Sequence, residues 1–244
     1  QNKKSIQDKI QDIFHSTGGI VGYRGMVIFL AREGINLSKT TVHKYMNKEL
    51  QLYCIPAKKR PRYIEGTNHK LFSNHLSQRF ESEEKNKVWC TDFTYIKSWD
   101  GKFQYNCSIL DLSDRSIVAT KTSRMMTSTL AKETLETALL SQSKRPKGLI
   151  LHSDQGTQFA SYEFTQYCLK NEITQSMSKA GCPYDNAVME RFFRTMKFEL
   201  INRFQFNSDK QLEIAISEYV FGWYNQVRPH ASNGYKTPNE IRNT

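Results

Sequence analysis

A chain of 244 residues has room for one large domain or two small ones, and a net charge of +11 with a pI of about 9.4 favours a polyanionic partner, most simply nucleic acid. Residues 1–64 hold 12 Lys and Arg against 4 Asp and Glu, so most of the excess lies in about a quarter of the chain rather than spread as on a merely soluble basic protein. No apolar run approaches the roughly 18 residues of a membrane span, no signal peptide is visible, and Cys54, Cys90, Cys107, Cys168 and Cys182 show no paired spacing; together these predict reduced thiols, a cytoplasmic protein and no membrane partner.

The first quarter predicts three short helices, 5–14, 22–33 and 38–48, separated by Ser-Thr-Gly-Gly at 16–19 and by Gly34. Ser38 is the expected N-cap of the third. Its Lys39, Thr40, Thr41, His43 and Lys44 would form an exposed polar face of the kind that enters a major groove, although a basic face on an adaptor or dimerisation helix has the same composition. Lys58, Lys59, Arg60, Pro61 and Arg62 read as a linker lying along DNA phosphates or as an ordinary solvated loop. Residues 63–87 are polar and read as a linker. His69 and His75, with Cys54 or Cys90, do not make a zinc site, because there is no Cys-x-x-Cys and the order is wrong.

The core is predicted as strands 88–98, 103–112 and 115–121, helix 127–142, strand 147–153, helix 158–170, strand 172–177 and helix 185–204. Three antiparallel strands followed by alternating helices and strands give a mixed α/β sheet with helices on both faces. Asp111 and Asp114 flank the second turn and read as turn formers. Beyond the core, 208–226 reads as an amphipathic helix through Leu212, Ile216, Tyr219, Val220 and Trp223.

Three acids stand out. Strict alternation puts Asp92 on one strand face with Val88, Cys90, Thr94 and Ile96, where an unpaired carboxylate is expensive. Asp154 follows the apolar Leu149–Leu151 run at the carboxyl end of a buried strand, where open sheets place their ligands. Glu190 follows after 35 intervening residues, in a helix preceded by Pro183 and capped by Asp185 or Asn186. Singly, each acid would be a satisfied or solvated side chain; together they read as one metal site. Seven residues bring a helix back to within about 20°, so Glu190, Arg194 and Lys197 share a face, with Arg191 beside it. One carboxylate followed by cations suits a metal and the phosphates of a polyanion. Carboxylates without paired thiols or imidazoles select Mg2+ or Mn2+ over Zn2+.

Four stretches carry a resemblance: WCTDFTYI (89–96), HSDQGTQFAS (152–161), SMSKAGCPYDNAVMERFFRTMKFEL (176–200) and YNQVRPHASNGYKTPNEI (224–241). In this order they resemble the catalytic half of bacterial transposases of the insertion-sequence-three family, whose core is similar to retroviral integrases. The resemblance covers nearly the whole chain. It implies an RNase H-like catalytic core over 88–206, an Asp-Asp-Glu triad of Asp92, Asp154 and Glu190, and two divalent cations. Asp92 would bridge both ions while Asp154 and Glu190 each complete one shell, and Lys197 would contact a substrate phosphate.

It further implies strand cleavage and strand transfer at the element's terminal inverted repeats in double-stranded DNA, a homo-oligomer that brings the ends together, and a helix-turn-helix segment in GYRGMVIFLAREGINLSKTTVHKYM, within an N-terminal DNA-binding region of 1–62. Gln1 in place of Met implies either a trimmed chain or the downstream part of a longer product; the resemblance implies the latter, fused by frameshifting to an upstream helix-turn-helix and leucine-zipper half. The closing segment, 207–244, would lie against the core or the DNA. Cys182 and Pro183 depart from the residues usual before Tyr-Asp-Asn, which touches only the loop. Two other classes stay open to the residues alone: a nuclease or resolvase of this fold that hydrolyses without joining, and a non-catalytic DNA-binding protein.

Overall fold

The structure, a computed structural model, describes residues 2–54, 72–144, 146–179 and 182–244. It divides into two compact units, Gln1–Pro61 and Arg62–Thr244. Lys58, Lys59, Arg60, Arg62 and His69 lie outside the described residues.

In the first unit, α1 (Lys3–Ser16), α2 (Tyr23–Arg32) and α3 (Lys39–His43) pack Ile6, Ile10 and Ile13 against Met26, Leu30 and Val42. The spacing of three and four residues puts each set on one helix face. Gly18, Gly19 and Gly34, all at positive φ, end the first two helices at low steric cost. Ser38 caps α3 as expected, accepting from the Thr41 N–H, and a wider turn over Lys44–Glu49 extends the helix and buries Met46.

The second unit is built on β1 (Val88–Lys97), β2 (Phe103–Asp111), β3 (Ile117–Ser123), β4 (Ile150–Ser153) and β5 (Thr174–Met177), in the order β3-β2-β1-β4-β5. The first three strands are antiparallel, while β1, β4 and β5 run parallel. This is the mixed sheet the sequence predicts. Gly148 at positive φ delays β4 to Ile150, and the Ser161 side chain caps α5 (Tyr162–Lys170), so that helix starts four residues later than its apolar pattern suggests.

Alternation along β1 splits the core. Trp89 faces Leu135 and Ala138 of α4 (Ser128–Leu140) and Phe164 and Cys168 of α5. Cys90 and Ile96 face Met189, Phe192, Phe193 and Met196 of α6 (Ala187–Met196) and Leu212 and Ile216 of α7 (Asp209–Glu218). The predicted helix 185–204 is three pieces: a tight turn over Pro183–Asn186, α6, and a wider turn over Lys197–Ile201.

The closing segment packs on the core. Glu199 is buried and accepts from the Tyr219 hydroxyl (2.8 Å), the Trp223 indole (3.1 Å) and Arg228 Nε (2.8 Å). Tyr224 stacks edge-on against Phe192 and His230. In α8 (Pro238–Arg242), Arg242 reaches back to fully buried Asp111 and Asp114 at 3.2 and 2.6 Å. Those aspartates also form their turns, Asp111 accepting from the Ser113 N–H and Asp114 from the Ser116 N–H. Residues 72–87 have neither helix nor strand, but Leu76 is buried in the α6 core, so this part of the expected linker is structural.

Candidate active site

Cys90 of β1 pairs with His152 of β4. Two residues further along come Asp92 on β1 and Asp154 one residue past the end of β4, so both acids lie at the carboxyl end of β4, where open sheets place their ligands. Both fields reach the buried Cys107 thiol, which burial pushes up to about 12. Asp92 Oδ1 accepts its neighbour Phe93's N–H at 2.7 Å, and Asp154 Oδ1 accepts from Gly156 at 3.0 Å. Desolvation raises the Asp154 pKa, which the Gly156 N–H only partly offsets. Gly156 is required for a reason other than a positive φ: a Cβ there would lie 2.9 Å from the Asp154 carboxylate. Gln155 and Gln158, which could have reached DNA, spend their amides on the Ser178 and Met126 carbonyls.

The α6 helix starts beside this pair. Asn186 is its N-cap by position, but its side chain makes no cap bond; Nδ2 instead donates to the Thr91 carbonyl, next to Asp92, at 3.4 Å. Glu190 is exposed in the first turn, with exposed Arg191 and Arg194 along the same surface. Lys197 Nζ lies 4.5 Å from the centre of the Tyr95 ring. Among the described residues no three His, Cys, Asp or Glu side chains lie close enough to hold one ion. The fold thus puts Asp92 and Asp154 at one end of the sheet and tethers the Glu190 helix to β1, without gathering all three.

Two residues given no catalytic part by sequence reasoning hold this arrangement. His152 is buried beneath Asp154, its Nδ1 2.9 Å from Ser176 Oγ and its Nε2 2.9 Å from the Asp185 carbonyl. Burial lowers its pKa, so the ring is a neutral strut. The Asp185 carboxylate accepts from the Lys179 N–H, Asn74 and Gln78, bonds that hold its pKa below the usual range. One hydrogen-bonded network therefore joins the Asp154 strand, residues 74–78 and the entry to the Glu190 helix. Its only signal in the sequence is a His and an Asp next to motif acids. His230 is pushed down to about 3 by burial and the nearby Arg228, which leaves it neutral as well.

In the first unit, Lys39, Thr40 and Lys44 are exposed as expected, but Thr41 and His43 are half-buried. The Thr41 hydroxyl is 2.9 Å from that of Ser38, and the His43 ring packs edge-on against Tyr23 with centroids 4.9 Å apart. Capping and core closure draw these two side chains inward.

The residues present suit hard divalent cations: paired carboxylates, no nearby thiolate, and imidazole nitrogens already engaged. Asn186 Oδ1 is buried with no hydrogen-bond partner among the described residues, an acceptor beside the carboxylates suited to a metal-bound water.

Such a sheet with two aspartates at its carboxyl end is that of an RNase H-like polynucleotidyl transferase. Two descriptions of an integrase core domain match, over residues 82–183 and 171–238. The transposase of insertion sequence element IS904 from Lactococcus lactis is 31% identical over 98% of this chain and 94% of its own length. The IS600 uncharacterized 31 kDa protein of Shigella sonnei is 34% identical over 99% and 88%. Transposase InsF of IS3A from Escherichia coli is 33% identical over 70% of this chain and 58% of its own length. A simian T-cell lymphotropic virus intasome, in complex with a PP2A regulatory subunit, shares the fold at a TM-score of 0.56 and 16% identity, over 98% of this chain and 74% of that one. The chain belongs to the insertion-sequence-three family of transposases.

Proposed function

We propose that this DDE transposase cleaves its element's terminal inverted repeats and joins the 3′ ends to target DNA, using Asp92, Asp154 and Glu190. The observation that carries the reading is that Asp92 on β1 and Asp154, one residue past the end of the adjacent parallel strand β4, lie at the same end of the sheet, with α6 tethered to Thr91. Asp92 and Asp154 would hold Mg2+ or Mn2+ between them, and the exposed Glu190 side chain, with three rotatable bonds, would swing in to complete the shell. When bound, two such ions activate the attacking water or 3′-hydroxyl and stabilise the leaving oxygen. The protein's own part is positioning. Gly156 lets the Asp154 carboxylate lie close to its turn, and His152 and Asp185 lock strand to helix. Arg191, Arg194 and Lys197 present cations to the DNA phosphates beside the acids.

The first unit would supply duplex recognition through Lys39, Thr40 and Lys44, with Lys58, Lys59, Arg60 and Arg62 following the backbone. In this reading the protein works in the bacterial cytosol, as an oligomer on paired DNA ends, and joins an upstream helix-turn-helix and leucine-zipper half by frameshifting. No helix among the described residues is long and apolar enough to cross a membrane. Incubating the chain and Mn2+ with a duplex that carries the terminal repeat and a target plasmid tests the activity. Joined products support a transposase, whereas cleavage that never yields joined strands would mean a nuclease of the same fold.

A further inference from the structure

The tip of the β1–β2 hairpin carries side chains that the core does not use. Trp99 and Phe103 are 60% and 48% exposed, an unfavourable way to place two large rings unless something covers them. The other two tryptophans are spoken for: Trp89 is fully buried, and half-buried Trp223 donates to Glu199.

The tip is also rigid. Gly101 turns it at positive φ, and Arg124 grips Asp100 at 3.0 Å and Asp209 at the start of α7. Asp209 further accepts from Ser98 Oγ, and its pKa is lowered first by Arg124, with a smaller contribution from the Trp99 side chain, while the Trp99 ring stays open to solvent. Phe103 packs edge-on against Tyr95, centroids 5.5 Å apart, and Tyr95 carries the Lys197 ammonium. Around these rings, exposed Lys97 and Lys102 add to Lys197 and Arg124, four cations against the two carboxylates of Asp100 and Asp209.

We infer that this tip is a binding site for an unpaired DNA strand, whose bases stack on Trp99 and on the Tyr95–Phe103 pair while its phosphates meet Lys97, Lys102 and Lys197. Exposed rings at Trp99 and Phe103, interleaved with lysines, match what a single strand offers: π-faces on every base, and a charge on every phosphate. A duplex hides its base faces, and a neutral protein surface would not match the charge of exposed Lys97 and Lys102. Tyr95 is three residues from Asp92 on one strand, about 10 Å along the backbone at 3.3 Å per residue, with the two side chains on opposite faces of the sheet by alternation. The position of this site relative to the reaction rests on the catalytic reading of Asp92; the binding itself does not.

Tryptophan emission tests it directly, because Trp99 is the exposed indole. The full chain, without metal, is titrated with a short oligothymidylate, with the same length of duplex, and with an abasic strand. Quenching by oligothymidylate alone is expected. Trp99→Phe should abolish the quench, and Trp99→Ala with Phe103→Ala should weaken single-strand binding at least about fivefold, the low end of one stacked base. Circular dichroism checks that each variant keeps its fold.

Equal quenching in Trp99→Phe, or by duplex and abasic strand, overturns the inference. So does self-association of the wild type that Trp99→Ala abolishes, since the surface would then belong to a second copy. Asp92→Asn should keep the quench and lose nicking. Nicking by Asp92→Asn would overturn the catalytic reading and leave this site standing, and a wild type that nicks without quenching would do the reverse.

Discussion

Asp154 would meet two opposed demands in the proposed reading, since its carboxylate is desolvated in the fold and would have to be ionised to hold a cation. Its pKa is raised in the folded protein, so protonation favours the metal-free fold at low pH and that contribution is lost as pH rises through the folded value. A divalent ion competes with this proton. The thermal shift produced by Mn2+ should therefore be larger at pH 7.5 than at pH 5, and Asp154→Asn should remove the difference; scanning calorimetry at both pH values checks this. Gly156→Ala gives a second residue-level test. The new methyl collides with the carboxylate rather than with the core, so stability should change by less than about 1 kcal/mol while nicking falls by about tenfold or more.

The elements that place Asp92, Asp154 and Glu190 were legible in the sequence because local patterns carry them: an apolar run before Asp154, alternation around Asp92, a helical stripe beside Glu190. Thr41 and His43 were not read correctly, because helical spacing shows which face a residue is on but not whether a cap or a neighbouring ring draws it inward.

At the level of elements, the order and type of the core strands and helices follow from periodicity, and the boundaries depend on individual residues. Ser161 decides where α5 begins and Gly148 where β4 begins. The fit between elements was hidden, because it rests on pairs far apart in the chain. Arg228 meets Glu199 29 residues away, and Arg242 meets Asp111 131 residues away. Glu199 is buried with three donors on its carboxylate, so Arg228→Ala leaves a charge largely uncompensated and should destabilise by about 3–5 kcal/mol. Arg242→Ala exposes the same weakness at the two fully buried aspartates and should lower stability by a similar amount, about 3–5 kcal/mol. Urea denaturation measures both. An effect under about 1 kcal/mol in either would mean that the closing segment is peripheral.

Across the whole molecule, charge and chemistry are divided between the units. The first unit, with 11 Lys and Arg against 4 Asp and Glu, suits phosphate neutralisation, whereas Asp92, Asp154 and Glu190 lie in the second. Duplex affinity should fall steeply as salt is raised, and a variant with Lys39 and Lys44 both changed to Ala should show a log–log slope shallower by about two, with metal-dependent thermal stabilisation unchanged.

The most direct test of the catalytic reading is nicking of a duplex carrying the element's own terminal repeat, in Mg2+ or Mn2+, by the wild-type chain and by Glu190→Gln. A nick leaving a 3′-hydroxyl at the repeat boundary, lost in Glu190→Gln while DNA binding persists, is the expected result. Undiminished nicking by Glu190→Gln would contradict it and remove Glu190 from the site.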